Sequence, residues 1–193
     1  MSLKRMMELY APTEPAPAPE AETPSPEDDH GLSIIDADFV TARRTLRGTM
    51  VGPERRLSDL LNSSVPALEG RFLSVLPTGA AHFAPAEAGL GELTKSAILF
   101  AIPRSEPARP RGTSNPEWKP LTAHRCRVLL DSYEIEGLVH LDPALQPLIA
   151  LRAGGKLFLP VTRASVHCPD DAVCGYDAVI VNRERVELIE LRS

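Results

Sequence analysis

The chain has 193 residues, 43% hydrophobic and 24% charged, so it is long enough for one globular domain or two small ones. Residues 1–30 hold two basic and seven acidic side chains, which account for the whole net charge of −5; the neutral remainder disfavours nucleic-acid binding, because such domains are usually basic. No apolar run approaches the roughly 20 residues of a membrane span, and the N terminus lacks the apolar core of a signal peptide. An odd count of three cysteines fits a reducing compartment. We therefore predict a cytoplasmic protein.

The first ten residues, "MSLKRMMELY", predict a docking helix over 1–10. Leu3, Met6, Met7 and Tyr10 fall at i, i+3, i+4 and i+7, which aligns them in one apolar stripe. A short amphipathic segment of this kind is typical of peptides that fold in the groove of a partner protein. The alternative is a frayed end, because isolated helices of this length are marginal in water.

Two proline-rich stretches divide the chain. Six of the nineteen prolines lie in 11–30, where acidic residues, alanine and proline predict a disordered tether. Five more lie in 103–120, and we predict a linker over 105–122. The predicted β-domains therefore span 31–104 and 123–193.

The first predicted domain alternates strands with one short helix. The segments "RRTLRGTMV" (43–51) and, in the second domain, "YEIEGLVHL" (133–141) alternate polar and apolar residues, as half-buried strands should. The central glycine of each, Gly48 or Gly137, indicates a sharp bend or a close backbone approach. The stretch "PERRLSDLLNSS" (53–64) predicts a turn and a short helix, with the Ser58 hydroxyl as N-cap and Asp59 near the positive end of the dipole. No Gly-x-Ser-x-Gly motif surrounds Ser58, so the pattern favours a cap over a nucleophile.

The second predicted domain repeats the order of elements in the first. The alignment places Gly48 on Gly137, and each copy then passes through a proline-containing turn. The last segment, "AVIVNRERVELIEL" (178–191), predicts two strands joined by a tight polar turn. The matched segments are 38–62 with 126–152, 70–84 with 155–168, and 96–104 with 177–191; within the first pair Val40 matches Leu129, Leu46 matches Ile135, and Met50 matches Val139.

These elements predict a mainly β protein of two tandem small barrel-like domains, each with at most one short helix. Short strands close economically as small barrels, because closure removes exposed edges. The predicted fold thus consists of an N-terminal tether and two barrel-like units of the Sm-like or SH3-like kind.

Three motifs resemble a family of short bacterial β-domains of uncharacterised function. They are "RRLSDLLN", "FLPVT" (158–162) and "VIVNRERVELIEL", which resemble the family pattern R-L-S-D-x-L-N, F-x-P-x-T and V-N-R. The resemblance covers about 38–104 and 124–192 and implies two diverged copies, the first with the R-L-S-D helix and the second with the other two motifs. It brings no catalytic residues.

A broader resemblance is to Sm-like barrels, in which the turn before the last strand helps to line an RNA site. That resemblance implies a nucleic-acid contact at Asn182, Arg183 and Arg185. The "NRER" turn departs from the Sm pattern because it lacks the usual glycine. A nucleic-acid-binding module is therefore the alternative function, and one that the neutral charge disfavours.

The sequence contains several histidines and cysteines but no recognisable reactive motif. No C-x₂₋₄-C pair, phosphate-binding loop or dinucleotide fingerprint is present, so we predict no catalytic residues, no metal and no cofactor. A metal protein or an enzyme of unknown reaction remains the third alternative. The candidate ligands weighed were His124, Cys126, His167, Cys168 and Cys174.

The sequence therefore predicts a non-enzymatic bacterial adaptor. It would bind another protein through its β-domains and its N-terminal peptide, with self-association left open. The partner-binding residues of the peptide would be Leu3, Met6, Met7 and Tyr10.

Overall fold

The computed structural model describes residues 32–77, 89–107, 120–153 and 155–192. We refer to 33–105 as the first half and 122–192 as the second half. The predicted docking helix (1–10) and tether (11–30), and most of the predicted linker, lie outside the described residues.

The same series of elements occurs once in each half. The first half contains β1 (Ser33–Thr41), β2 (Arg44–Gly52), α1 (Leu57–Asn62), β3 (Ala67–Pro77), β4 (Gly89–Thr94), a first 3₁₀ turn (Lys95–Ala97) and β5 (Ile98–Ser105). The second half contains β6 (Thr122–Leu130), β7 (Tyr133–Leu141), α2 (Pro147–Ala153), β8 (Phe158–His167), β9 (Val173–Asn182), a second 3₁₀ turn (Arg183–Arg185) and β10 (Leu188–Arg192).

All ten strands belong to one antiparallel sheet with the order β10-β6-β7-β8-β9-β5-β1-β2-β3-β4. Each half alone has the same order, in which its last strand pairs with its first and its fourth strand lies at the far end. The halves meet where β5 pairs with β9. Among the described residues, β10 and β4 each pair on one side alone.

Matching hydrogen bonds define which residues of the two halves are equivalent. The Lys95 N–H donates to the Pro66 carbonyl at 3.0 Å, and the Arg183 N–H donates to the Leu157 carbonyl at 2.9 Å. Both bonds tie the start of a 3₁₀ turn to the residue before the third strand of its half. Ala67 pairs with Thr94 as Phe158 pairs with Asn182, which makes these two pairs equivalent.

The aligned glycines, Gly48 and Gly137, occupy equivalent positions at the centres of β2 and β7. A Cβ added at Gly48 would lie 2.7 Å from the Phe72 ring, and one added at Gly137 would lie 2.8 Å from the Thr162 carbonyl oxygen. Both contacts are closer than packed atoms allow, so each strand passes its neighbour where a side chain would not fit. The sequence-based expectation of a close backbone approach is confirmed at both glycines.

The apolar interior consists of two clusters of buried side chains. One lies mainly in the second half and includes Val128, Ile135 and Val161, and the other lies mainly in the first half and includes Phe39, Leu57 and Leu68. Each cluster also contains side chains of the other half, such as Phe100 in the former and Phe158 in the latter.

The mainly β class is confirmed, whereas the two predicted domains do not have separate sheets. Their strands form one continuous sheet, because β5 and β9 pair across the boundary. Sequence periodicity identifies the strands but does not reveal which edges meet.

No helix within the described ranges is long and apolar enough to cross a bilayer.

Candidate functional site: the junction and the open end of the sheet

The two halves are joined by a short strand contact that exchanges side chains between the clusters. Phe100 pairs with Val181 and Ala101 pairs with Ile180. Phe100 is buried in the second-half cluster, while Ile180 and Phe158 are buried in the first-half cluster. Full burial of a phenylalanine contributes about 1.5–3 kcal/mol, so these exchanged residues stabilise the junction substantially.

Two asparagines bond across the junction in opposite directions. Asn62, the last residue of α1, donates its side-chain N–H to the Phe158 carbonyl at 2.9 Å and accepts from the Phe158 N–H at 2.9 Å. Asn182, the last residue of β9, donates to the Ile98 carbonyl at 2.9 Å and to the Lys95 carbonyl at 3.4 Å. Each amide thus bonds to backbone groups of the opposite half, which ties the two halves together.

The two ends of α1 are held by charged side chains distant in sequence. The Leu57 N–H donates to Oε1 of Glu106 at 2.7 Å. At the other end, Nζ of the buried Lys95 donates to the carbonyls of Leu60 and Ser63, each at 3.0 Å. A carboxylate at the helix start and an ammonium at its end both match the helix dipole. Burial lowers the pKa of Lys95.

The predicted N-cap at Ser58 is therefore wrong. The helix begins at Leu57, the residue in the cap position is Arg56, and no side chain at that position makes a cap hydrogen bond. Glu106 supplies the acceptor instead. Capping patterns consider neighbours within four residues, so they do not detect an acceptor 49 residues away.

Within the described ranges, no element covers the outer side of the second half in the way that the junction covers the first. The equivalents of α1, the first 3₁₀ turn and β5 are α2, the second 3₁₀ turn and β10. On α2, Leu148 is 57% exposed and Ile149 is 51% exposed. On β10, Leu188 is 47% exposed, whereas its equivalent Phe100 is 1% exposed. We call α2, the second 3₁₀ turn and β10 the open end of the sheet.

A cleft opens beside the junction where the two strands separate. Beyond Ala101 and Ile180, β5 follows β1 and β9 follows β8, leaving an open cavity of about 770 Å³. Its charged residues are mixed in sign, and two are already bonded: Arg104 to Asp38 at 3.0 Å and Glu106 to the start of α1. The cleft is lined by Ile102–Glu106, Arg163–Ser165 and Gly175–Ala178. Its mixed charge favours no single class of ligand.

The three cysteines are buried thiols that form no disulfide bond. Burial raises the pKa of Cys126 to about 11 and that of Cys168 to about 11. The thiolate is the nucleophilic and metal-binding form, so the Cys126 and Cys168 thiols are poor nucleophiles and poor metal ligands near neutral pH. Cys168 is hydrogen-bonded to Cys174 across the β8–β9 hairpin, and Cys174 in turn contacts Tyr176.

The candidate ligands considered from the sequence do not converge. Within the part of the chain that the structure describes, no three His, Cys, Asp or Glu side chains form a group that could hold a metal ion. His124 and Cys126 lie on β6, while His167, Cys168 and Cys174 lie on and next to the β8–β9 hairpin.

The predicted nucleic-acid residues lie where β9 passes into the second 3₁₀ turn. The Asn182 side chain is fully buried and is used at the junction, so it is not accessible to a ligand. Arg183 is half-buried and donates to the Lys156 carbonyl at 3.2 Å, while Arg185 is exposed. The polar turn predicted between the last two strands is present, but its asparagine has a structural role.

The predicted peptide residues Leu3, Met6, Met7 and Tyr10 lie outside the described residues. Sequence patterns also gave no role to Phe158, Glu106 or Lys95, which hold the junction and α1. The one sequence feature that marks this site is the position of Asn62 in "RRLSDLLN" and of Phe158 in "FLPVT". These positions do not identify the residues that Asn62 and Phe158 contact.

No protein-family model matches this chain, and no curated protein or solved structure resembles it significantly.

Proposed function

We propose that the protein is a non-enzymatic adaptor that binds another protein through its β-sheet and its N-terminal peptide. The observation that carries the proposal is the open end, where exposed apolar side chains occupy elements whose equivalents are covered at the junction. Exposed apolar surface next to an unpaired strand is typical of protein interaction sites.

The proposal also interprets each half as a small barrel-like unit. The identical strand order and the two core clusters support that interpretation. In such a unit the last strand is a natural edge for pairing with another protein, because β10 pairs on one side alone within the described part of the chain.

The N-terminal peptide would add a second contact. Residues 11–30 would tether it at an r.m.s. distance of roughly 25 Å for a flexible chain of this length, which lets it engage the same partner. Two linked contacts strengthen binding because the second becomes intramolecular.

Affinity capture from a lysate of the organism that encodes the protein tests the proposal. The baits are the full chain, the chain without residues 1–30, and Leu148→Glu. Ile34→Glu is the matched control, because Ile34 is 60% exposed but lies on β1. We expect a partner that is lost with Leu148→Glu, weakened by the deletion and retained by the control. A capture profile identical for all four baits would refute the adaptor function.

A further inference from the structure

The open end is equivalent to the part of the first half that pairs with β9 at the junction. At the junction, the first half receives Phe158 and Ile180 into its cluster and the Asn182 amide onto the carbonyls of Lys95 and Ile98. The equivalents of those two carbonyls at the open end are the carbonyls of Arg183 and Val186.

The strand register supports this equivalence. Phe100 pairs with Val40 on the first strand of its half, and Leu188 pairs with Leu129 on the first strand of the other half. Val40 and Leu129 are themselves equivalent in the alignment on Gly48 and Gly137. Leu188 thus lies where a received strand would contact β10.

We propose that the open end is an acceptor for an edge β-strand of a different protein. The strand would pair antiparallel with β10, as β9 pairs with β5. It would present large apolar side chains at two successive positions, as β9 presents Ile180 to one cluster and Val181 to the other. It would also present a side-chain amide to the carbonyls of Arg183 and Val186, as Asn182 does at the junction. This assignment rests on the proposed adaptor function and specifies the class of partner.

A second copy of this chain does not have the required chemistry. Among the strands that the structure describes, the other one that pairs on one side alone is β4, which is equivalent to β9. There, Glu92 stands in place of Ile180, Thr94 in place of Asn182, and Ala67 in place of Phe158. Pairing β4 with β10 would transfer the Glu92 carboxylate into an apolar cluster without a partner, which is strongly unfavourable.

The difference between β4 and β9 provides a probe of known composition. A donor variant, Ala67→Phe/Glu92→Ile/Thr94→Asn, gives β4 the residues of the β9 edge. Adding Leu188→Lys blocks the donor's own β10, so the donor can offer a strand but cannot accept one. The wild-type chain is the acceptor, because its β10 is intact and its β4 carries Glu92.

Sedimentation velocity of the purified donor mixed with wild type tests the proposal directly. We expect a 1:1 complex with twice the monomer mass. The complex should be lost when Leu188→Lys replaces wild type as acceptor, and retained when the acceptor is Ile34→Lys. Wild type alone should sediment as a monomer.

Two results would overturn the proposal. A folded donor that forms no complex with wild type would show that the open end accepts no strand, and wild type that self-associates through Leu188 would show that the partner is a second copy. If the donor fails to unfold cooperatively, the version without Ala67→Phe replaces it, because Glu92 and Thr94 are both exposed. A complex in this assay combined with unchanged lysate capture would retain the acceptor and refute the adaptor function.

Discussion

Substitution of Asn182 by alanine should destabilise the whole protein because the side chain joins the two halves. Its amide makes a 2.9 Å bond to the Ile98 carbonyl and a longer 3.4 Å bond to the Lys95 carbonyl, and its oxygen accepts from the Glu184 N–H at 3.1 Å. A buried acceptor left without a partner costs about 1–3 kcal/mol. Glu184 is exposed, so its N–H can bond to water after the substitution and should contribute less.

The Lys95 carbonyl still accepts from the Ile98 N–H, so the Ile98 carbonyl is the acceptor that loses its partner. We therefore expect the free energy of unfolding to fall by about 1–3 kcal/mol, against a typical total of 5–15 kcal/mol for a native protein. Urea denaturation should show a midpoint lower by roughly 0.5–1.5 M with an unchanged slope. Thr94→Ala is the matched control, because Thr94 is the equivalent residue on the outer edge and is exposed. Equal midpoints for the two variants would refute the assignment of Asn182 to the junction.

Three further predictions follow from the same contacts. Glu106→Ala should lower the free energy of unfolding by about 1 kcal/mol, because α1 loses the acceptor at its start. Ser58→Ala should change the free energy of unfolding by less than about 0.5 kcal/mol. If the urea midpoints rank the two variants in the reverse order, Ser58 is the cap. Gly137→Ala should lower the free energy of unfolding by about 1–3 kcal/mol, because its Cβ would lie 2.8 Å from the Thr162 carbonyl oxygen. Gly175→Ala should be nearly neutral, because the space around its Cβ is open. Similar losses of stability for both variants, in thermal or urea unfolding, would exclude the steric explanation. At pH 8, iodoacetamide should modify Cys126 and Cys168 far more slowly in the folded protein than in urea, because burial holds both thiols protonated. Equal rates of modification, measured by mass spectrometry, would contradict their raised pKa values.

Local patterns in the sequence were sufficient to predict the elements but not their assembly. Alternation around Gly48 and Gly137 predicts β2 and β7, and the capping-like pattern after Pro53 predicts α1, because these features depend on nearby residues. The segment that forms α2 carries only a proline-containing turn and a short apolar run, which do not specify a helix. The pairing of β5 with β9 joins residues about 80 positions apart and involves two residue pairs, so no periodicity indicates it. The cap at Glu106 was missed for the same reason, since its partner Leu57 is distant in sequence.

The candidate site was less predictable than the fold, because exposure depends on what the other half covers. Leu60 on α1 and Ile149 on α2 are similar residues in matching turns of two short helices. Leu60 is half-buried on the helix whose end bonds across the junction, whereas Ile149 is exposed. The sequence shows an apolar residue in both helices, but it does not show which helix bonds to the other half.

The sequence motifs acquire a physical meaning from their positions at the junction. Asn62 closes "RRLSDLLN" in the first half, whereas Phe158 opens "FLPVT" and Asn182 lies in "VNR" in the second half. Each half thus carries the motif that faces the other, and the outward positions carry residues that cannot make the same bonds, such as Thr94 and Glu92. Within the described residues these contacts are made between the two halves of the same chain, so the motifs act together as one junction and not as separate signatures of two domains.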